Sequence, residues 1–388
     1  MRIKAVVERT VKVDSNVRNA RVDLSQMTVT ALAVVTDQHV AGRPLVGFAF
    51  NSFGRYACGG SLRERFIPRL LAAEPASLLD DTGNLNPPRI LTALLAREKS
   101  GGHAERSMAL GTLELALWDI VAKREGKPLY ELLAARDGIR LPATRTIPTY
   151  AAGGFYGASD DVAPLQDEVA RWRDAGFIDA KIKAGGADEA LDRRRIEVAL
   201  RTLAPGGRLA VDLSCAFDGA GAVRFAETFR PYGLWWLEEP CDPLDYEGFA
   251  MVRAAGAPIA AGENLFAPRE FDNFLRFAQP GRDVVLQPDP PLAYGVSGMR
   301  EIAAVARAHG VVLQSIFPHG GNMMSLHVAA GLGLAGVEAY PDQFGIFGGF
   351  SDEVDIRDGR ASLPQAPGFG FEEQPALFRL FSELADSG

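Results

Sequence analysis

Lys183, Asp212, Glu238, Glu263, Asp289 and His319 follow one another at intervals of 29, 26, 25, 26 and 30 residues. Each interval is the length of one strand-helix unit, so a repeating fold would deliver one such side chain per unit to the same level. Asp212, Glu238 and Glu263 offer anionic oxygens with no Cys or His among them, which suits a hard cation, Mg²⁺ above Zn²⁺. The alternative is three unrelated carboxylates in salt bridges, which the even spacing disfavours. Lys181 and Lys183 stand two apart and so share one side of a strand. Crowding of like charge and partial desolvation favour the neutral amine, the form a lysine base needs; two exposed lysines at a strand end are the alternative. Asp289, one strand before His319, can fix the tautomer of the imidazole and raise its pKa, making it a general acid or base.

The stretch "LWWLEEPCDP" begins at Leu234 as a buried strand and ends on Glu238 and Glu239. An ionised carboxylate is buried only when it is paired or binds a metal. Glu238 is therefore read as a metal ligand. Glu239 points the other way in an extended strand and is expected to meet a nearby cation.

The elements that must hold these residues repeat from about Thr146 onward. "TIPTYAAGG", "DAKIKAGG", "RLAVDLS", "LWWLEEP", "PIAAGEN", "VVLQPD", "VVLQSIFPHGG" and "VEAYPD" read as strands, and helical patterns such as "DEALDRRRIEVALRTLA" lie between most of them. Such alternation predicts parallel strands closed into a barrel whose strand C-termini form the active face. An open doubly wound sheet is the alternative, but no glycine-rich dinucleotide fingerprint is present. Residues before Thr146 predict antiparallel strands ("IKAVVERTVKV", "TVTALAVVT", "PLVGFAFNS") and then one long helical pattern, "SMALGTLELALWDIVAKREGKPLYELLAA", stopped by Gly138 and Pro142. The division expected is an α+β domain over 1–135, the barrel over 136–345, and a strand-rich segment, 346–388, returning to the first domain.

Composition limits the partners. The chain has 388 residues, 47% apolar and 23% charged, with 49 acidic against 41 basic side chains and a formal charge of -8. This balance argues against nucleic acid and against an anionic membrane. No signal-peptide pattern opens the sequence and no apolar run approaches the roughly 20 residues of a membrane span, so a cytoplasmic protein is expected. Cys58, Cys215 and Cys241 form no CxxC pair and read as small apolar filler. His327, inside "SLHVAAGLGL", reads as a satisfied helix residue, and His39 and His309 as loop or surface residues.

These motifs together resemble the enolase superfamily, and within it the mandelate racemase group: "KIK", "VDLS", "LEEP", "GEN", the Asp289 and His319 pair, and "LELALWDIVAKREGKPLYELL" carry the likeness. Within that group "NSFGRYACGG", "EKSGGHAERS", "AAGGFY", "PHGGNMMSLHVAAGLGL" and "YPDQFG" resemble the D-tartrate dehydratases. The resemblance implies a modified TIM barrel of (β/α)7β type with an α+β N-terminal capping domain, and Mg²⁺ as cofactor. It implies that the proton α to a carboxylate is removed and a β-hydroxyl then leaves as water, so that D-tartrate would give oxaloacetate. Lys183 would be the base, His319 poised by Asp289 the acid, Lys181 an aid to the substrate carboxylate, and Glu338 a hydrogen-bond partner of that carboxylate. Another acid-sugar dehydratase, a racemase or epimerase using Lys183 and His319 on opposite faces of one carbon, and a barrel that binds a hydroxy acid without turnover stay open. Relatives usually carry Asn two residues after the first ligand where this chain has Ser214. A diacid also needs cations or donors for its distal carboxylate, for which Asn19, Arg21, Arg55, His103 and Arg106 are the candidates in the first domain. The partner implied is a small hydroxy acid, and relatives assemble as homo-oligomers.

Overall fold

Strands β1 (Ile3–Lys12), β2 (Thr28–Val40) and β3 (Arg43–Phe50) form an antiparallel sheet in that order. Ala41 and Gly42, with φ of 50° and 79°, close the β2–β3 hairpin in the doubly left-handed manner that matches strand twist. The computed structural model describes residues 1–388 apart from 14, 16, 158–160, 280, 282 and 342. The long helical pattern that follows is two helices, His103–Arg124 and Leu129–Asp137, and not one. Pro128 stands at the break, because it lacks an N–H and its ring excludes the preceding helical turn.

From Thr146 the chain forms a closed barrel. Strands β4 (Thr146–Gly153), β5 (Ala180–Lys183), β6 (Leu209–Asp212), β7 (Leu237–Glu238), β8 (Ile259–Ala261) and β9 (Val285–Leu286) pair in parallel succession. Strand β10 (Val337–Ala339) returns to pair with β4. The expected strand in "VVLQSIFPHGG" is reduced to a 3-10 turn, Leu313–Ser315, and a single bridge from Ile316 to Leu286. Pro318 has no donor to extend that ladder. The ring still closes there, since the Phe317 N–H donates to the Leu286 carbonyl at 2.9 Å and the Ala335 N–H to the Ile316 carbonyl at 3.0 Å.

Register places the charges. Lys183 lies opposite Asp212, and Asp212 opposite Glu238, so the three side chains share one face at one level. Lys181 lies opposite Ala210 and Glu238 opposite Ala260, and these small neighbours leave lumen volume for the longer charged chains.

The C-terminal segment departs from its reading. Its strands, β11 (Ile356–Arg357) and β12 (Arg360–Ser362), form a hairpin on β4, not on the first sheet. The helix Pro375–Asp386 is the part that returns, stacking Phe381 on Phe48 with ring centroids 4.8 Å apart. Two buried carboxylates of the helix His103–Arg124 tie the parts together. Glu114 accepts from the backbone of Val296 at 2.8 Å and of Ser297 at 3.2 Å, capping the helix Gly295–Ala308 of the barrel. Asp119 accepts from the N–H groups of Phe48 at 2.9 Å and Phe369 at 2.8 Å and pairs with Lys123 at 2.7 Å. Gly368 sits so close that a Cβ there would lie 2.1 Å from Asp119 Oδ1. Asp119→Ala removes one partner of a buried pair and orphans two backbone donors, and is expected to cost about 3 kcal/mol. Urea denaturation checks this; a loss below about 1 kcal/mol, the value of an exposed pair, would contradict the anchoring role.

Candidate active site

Asp212 ends β6, Glu238 ends β7, and Glu263 follows β8 after Gly262, whose φ of 137° re-aims the chain beside the Gln287 backbone. One oxygen from each of the three carboxylates lies within 4.8 Å of the others. Three convergent anionic oxygens without nitrogen or sulfur suit Mg²⁺, which takes oxygen ligands at about 2.0–2.1 Å and tolerates water in its remaining positions. Glu238 is fully buried and its oxygens are divided: Oε1 meets Lys181, while Oε2 accepts from Gln287 Nε2 at 2.6 Å and Trp236 Nε1 at 3.1 Å. Burial, with Asp212, Glu338 and Glu263 close by, pushes Glu238 up to about 8 even though Lys181 opposes it. Ser214, the departure noted above, gives Asp212 Oδ1 its backbone N–H at 2.7 Å and its hydroxyl at 3.2 Å.

The cation expected beside Glu239 is not there. Its φ of 38° turns the side chain into the strand-end loops, where among the described residues its partners are the Asn264 amide, the Asn264 N–H at 3.3 Å, the Gly262 N–H at 3.5 Å and the Cys215 thiol at 3.2 Å. Burial and the nearby Glu263 push it up to about 7. An extended strand was the wrong premise for that residue.

Both lysines point into the lumen. Lys181 is 1% exposed and bridges Glu238 and Glu338, the latter at 2.6 Å. Lys183 pairs with Asp212 and lies 5.2 Å from the Phe155 ring centroid. Mutual depression of the two amines does not prevail in this arrangement. Burial and Lys181 press Lys183 down, but Asp212, Glu263 and Glu238 outweigh them and hold it above its ordinary value. The sign follows from counting neighbours: the carboxylates outnumber the amines, and a free base at Lys183 requires another cation on those carboxylates.

His319 faces them from the far side of Glu263. Its Nδ1 is 2.8 Å from Asp289 Oδ2, and its Nε2 is 3.1 Å from Glu263 Oε2 and 3.0 Å from the Tyr340 hydroxyl. Burial presses it down, yet Glu263, Glu338 and Asp289 lift it to about 10. Glu338 lies beneath with no exposure, accepting from the Gly320 N–H at 3.2 Å. Tyr340 and Gln287 were not singled out in the sequence. The alternation that joined Lys181 to Lys183 would have found them, since Tyr340 is two residues past Glu338 and Gln287 two before Asp289.

A cavity of about 350 Å³ opens over this ring, and Lys183, Glu263, His319 and Tyr340 line its floor. The first sheet's loops supply Asn19, Arg21 and Arg55 to its rim. Arg21 donates to the Cys215 carbonyl at 2.8 Å, and Arg55 holds the Asn264 side chain and lies 5.0 Å from the Phe266 ring centroid. Asn19 Oδ1 is engaged by the N–H groups of Arg21 and Val22 at 2.9 and 2.7 Å. His103 and Arg106 are placed elsewhere: both line a separate cavity between the helix His103–Arg124 and the helix Gly295–Ala308, and His103 Nδ1 meets the Tyr294 hydroxyl at 3.0 Å. Both belong to the first turn of that helix, and neither lines the cavity over the ring. His327 is a buried helix residue as expected but is only half satisfied: its Nδ1 accepts from the Tyr130 N–H at 3.2 Å, while its Nε2 has no hydrogen-bond partner among the described residues. No helix among the described residues is long and apolar enough to cross a membrane.

Residues 164–376, more than half of the chain, match the family described as enolase C-terminal domain-like, and the chain belongs to that family within the enolase superfamily. It is 32% identical over 287 residues to the L-talarate/galactarate dehydratase of Salmonella typhimurium, covering 73% of this chain and 68% of that one. It is also 32% identical over 272 residues to the 3,6-anhydro-alpha-L-galactonate cycloisomerase of Streptomyces coelicolor, covering 70% of each. The crystal structure of the Salmonella typhimurium enzyme, liganded with Mg and L-lyxarohydroxamate, superposes with a TM-score of 0.77 at 25% identity, covering 94% of this chain and 88% of that one.

The charge pattern carries a stability signature. His319 is raised from 6.5 to about 10, so between those values the folded protein keeps a proton that the unfolded chain releases. The stability it contributes is therefore whole below pH 6.5 and is lost as pH rises through 10. In metal-free buffer the denaturation difference between wild type and His319→Asn is expected to shrink across that window. A difference that stays constant with pH would contradict the raised value.

Proposed function

We propose that this protein is a hydro-lyase that dehydrates an acid sugar with Mg²⁺, and that its substrate is a small hydroxy diacid, D-tartrate, converted to oxaloacetate. The observation that carries the reading is the flanking of one carboxylate triad by two different proton-transfer groups, Lys183 on Asp212 and His319 on Glu263. Relatives named as dehydratases of acid sugars support the reaction class. The cavity volume, about 350 Å³, is near the lower end for ligand pockets and favours a short diacid.

Asp212, Glu238 and Glu263 would hold the cation. Bound there, Mg²⁺ supplies the positive charge that these carboxylates draw from the lysines and that the substrate carboxylate needs as it gains negative charge. Lys183 Nζ takes the proton from the carbon α to that carboxylate. The C–H electron pair passes first into the substrate carboxylate as an enediolate, and only in a second step forms the C–C double bond as the bond to the β-hydroxyl breaks. His319 Nε2 gives its proton to the departing oxygen, so water leaves, and the enol tautomerises to the keto acid. Asp289 at Nδ1 keeps the imidazole oriented through this transfer. Lys181, fixed between Glu238 and Glu338, places its charge beside the substrate carboxylate. Arg55 and Arg21 at the rim meet the distal carboxylate.

A library of acid sugars incubated with Mg²⁺ and read for keto acid tests the reading. D-tartrate is expected to give oxaloacetate, and full activity after exhaustive chelation, or in Glu238→Gln, would refute the metal role. Lys183→Ala is expected to lose both turnover and exchange of the α-proton with solvent. His319→Asn is expected to lose oxaloacetate formation by about 10²–10⁴-fold, the usual contribution of a positioned acid, while still exchanging α-deuterium with retention of configuration. Inversion of the substrate carbon by the wild type without keto acid would replace the dehydratase reading with a racemase.

A further inference from the structure

Ser52 is 3% exposed and belongs to the first domain, two residues beyond β3. Its hydroxyl donates to Asp289 Oδ2 at 2.7 Å, the same oxygen that His319 Nδ1 approaches at 2.8 Å. We infer that Ser52 is a positioning residue that locks Asp289, and through it His319, into the orientation in which the imidazole acts as acid; this rests on the reading of His319 as the acid given above. The geometry carries it. A carboxylate can rotate about its Cβ–Cγ bond and exchange its oxygens, and here the Leu292 N–H fixes Oδ1 at 3.2 Å while Ser52 and His319 fix Oδ2. Among the described residues, removing the Ser52 donor leaves Oδ2 held only by the ring it is meant to aim.

The turn that presents Ser52 is itself fixed from behind. Asn51 is buried without exposure, exchanges backbone and side-chain hydrogen bonds with the Thr30 backbone at 3.0 and 2.5 Å, and donates from its amide to the Arg55 carbonyl at 3.2 Å. The residue after Ser52, Phe53, stacks on Phe344 at 4.2 Å and meets Tyr340 edge-on at 6.3 Å, and Tyr340 in turn contacts His319 Nε2. One short turn of the first domain therefore touches both sides of the imidazole system, through Asp289 at Nδ1 and through Tyr340 at Nε2. The barrel alone does not complete its acid.

The test is Ser52→Ala in the full-length enzyme with Mg²⁺, using whichever acid sugar the wild type dehydrates. The kcat for keto-acid formation is expected to fall about 10- to 100-fold, the scale of a misplaced catalytic group, with KM within about 2-fold and α-deuterium exchange retained. Unchanged kcat, or equal loss of exchange and elimination with a raised KM, would overturn the inference, because general damage to the site would not spare the Lys183 step. A second readout is independent of turnover, so that it holds even if no acid sugar proves to be a substrate. In protein labelled with ¹⁵N-histidine, the Nδ1 proton resonance of His319, assigned by its loss in His319→Asn, is expected to move in Ser52→Ala. A resonance that stays in place would refute the positioning role. Should Ser52→Ala fail to fold, Ser52→Cys, which keeps a weak donor of different strength, carries the same two readouts.

Discussion

Anionic oxygens gathered inside a closed barrel must be matched by positive charge, and the arrangement around the site follows from that requirement. Asp212, Glu238, Glu263, Glu338 and Asp289 converge on the lumen from neighbouring strand ends, with Lys181, Lys183 and His319 as their side-chain counterions. A buried carboxylate without such compensation would protonate instead. Glu238 is already pushed up to about 8, whereas Asp212, although burial raises it, is drawn well below the usual range by Lys183 and Lys181. The same field lifts both lysines and the histidine. A divalent cation on the triad therefore does more than bind: it changes which groups can give and take protons.

The two parts of the chain divide the remaining work. The barrel fixes the charged groups through strand register, which cannot slip by one residue without turning Lys183, Asp212 and Glu238 away from the lumen. The first domain encloses them with loops that change composition at little structural cost. Arg21 and Arg55 come from those loops, as does Ser52, and Glu114 and Asp119 pin the helix against which the loops rest. On the proposed roles, substrate choice and acid orientation would both pass through the docking of one domain on the other.

The barrel and its ring of charges were legible because they rest on local, periodic signals. Strand ends recur every 25 to 30 residues, and alternation by two places Lys181 and Lys183 together. Glu239 was misplaced because a left-handed residue leaves no mark in an apolar run. The shared depression of the lysines failed for a related reason: a pKa depends on the sum over all neighbours, and the sequence shows only the nearest. His103 and Arg106 sit in a loop-like phrase, but they belong to the first turn of a helix, and the cavity they line is set by what that helix packs against. Ser52 was invisible because its partner lies 237 residues away in the other domain.

Calorimetric titration of Mg²⁺ at pH 8, repeated in buffers of different ionisation heat, tests the charge compensation most directly. If the triad's carboxylates hold protons on Lys183, Glu238 and His319 until a cation replaces them, binding releases at least about one proton per site, and Lys183→Met lowers that number. Tight binding with no proton released in any buffer would contradict the account.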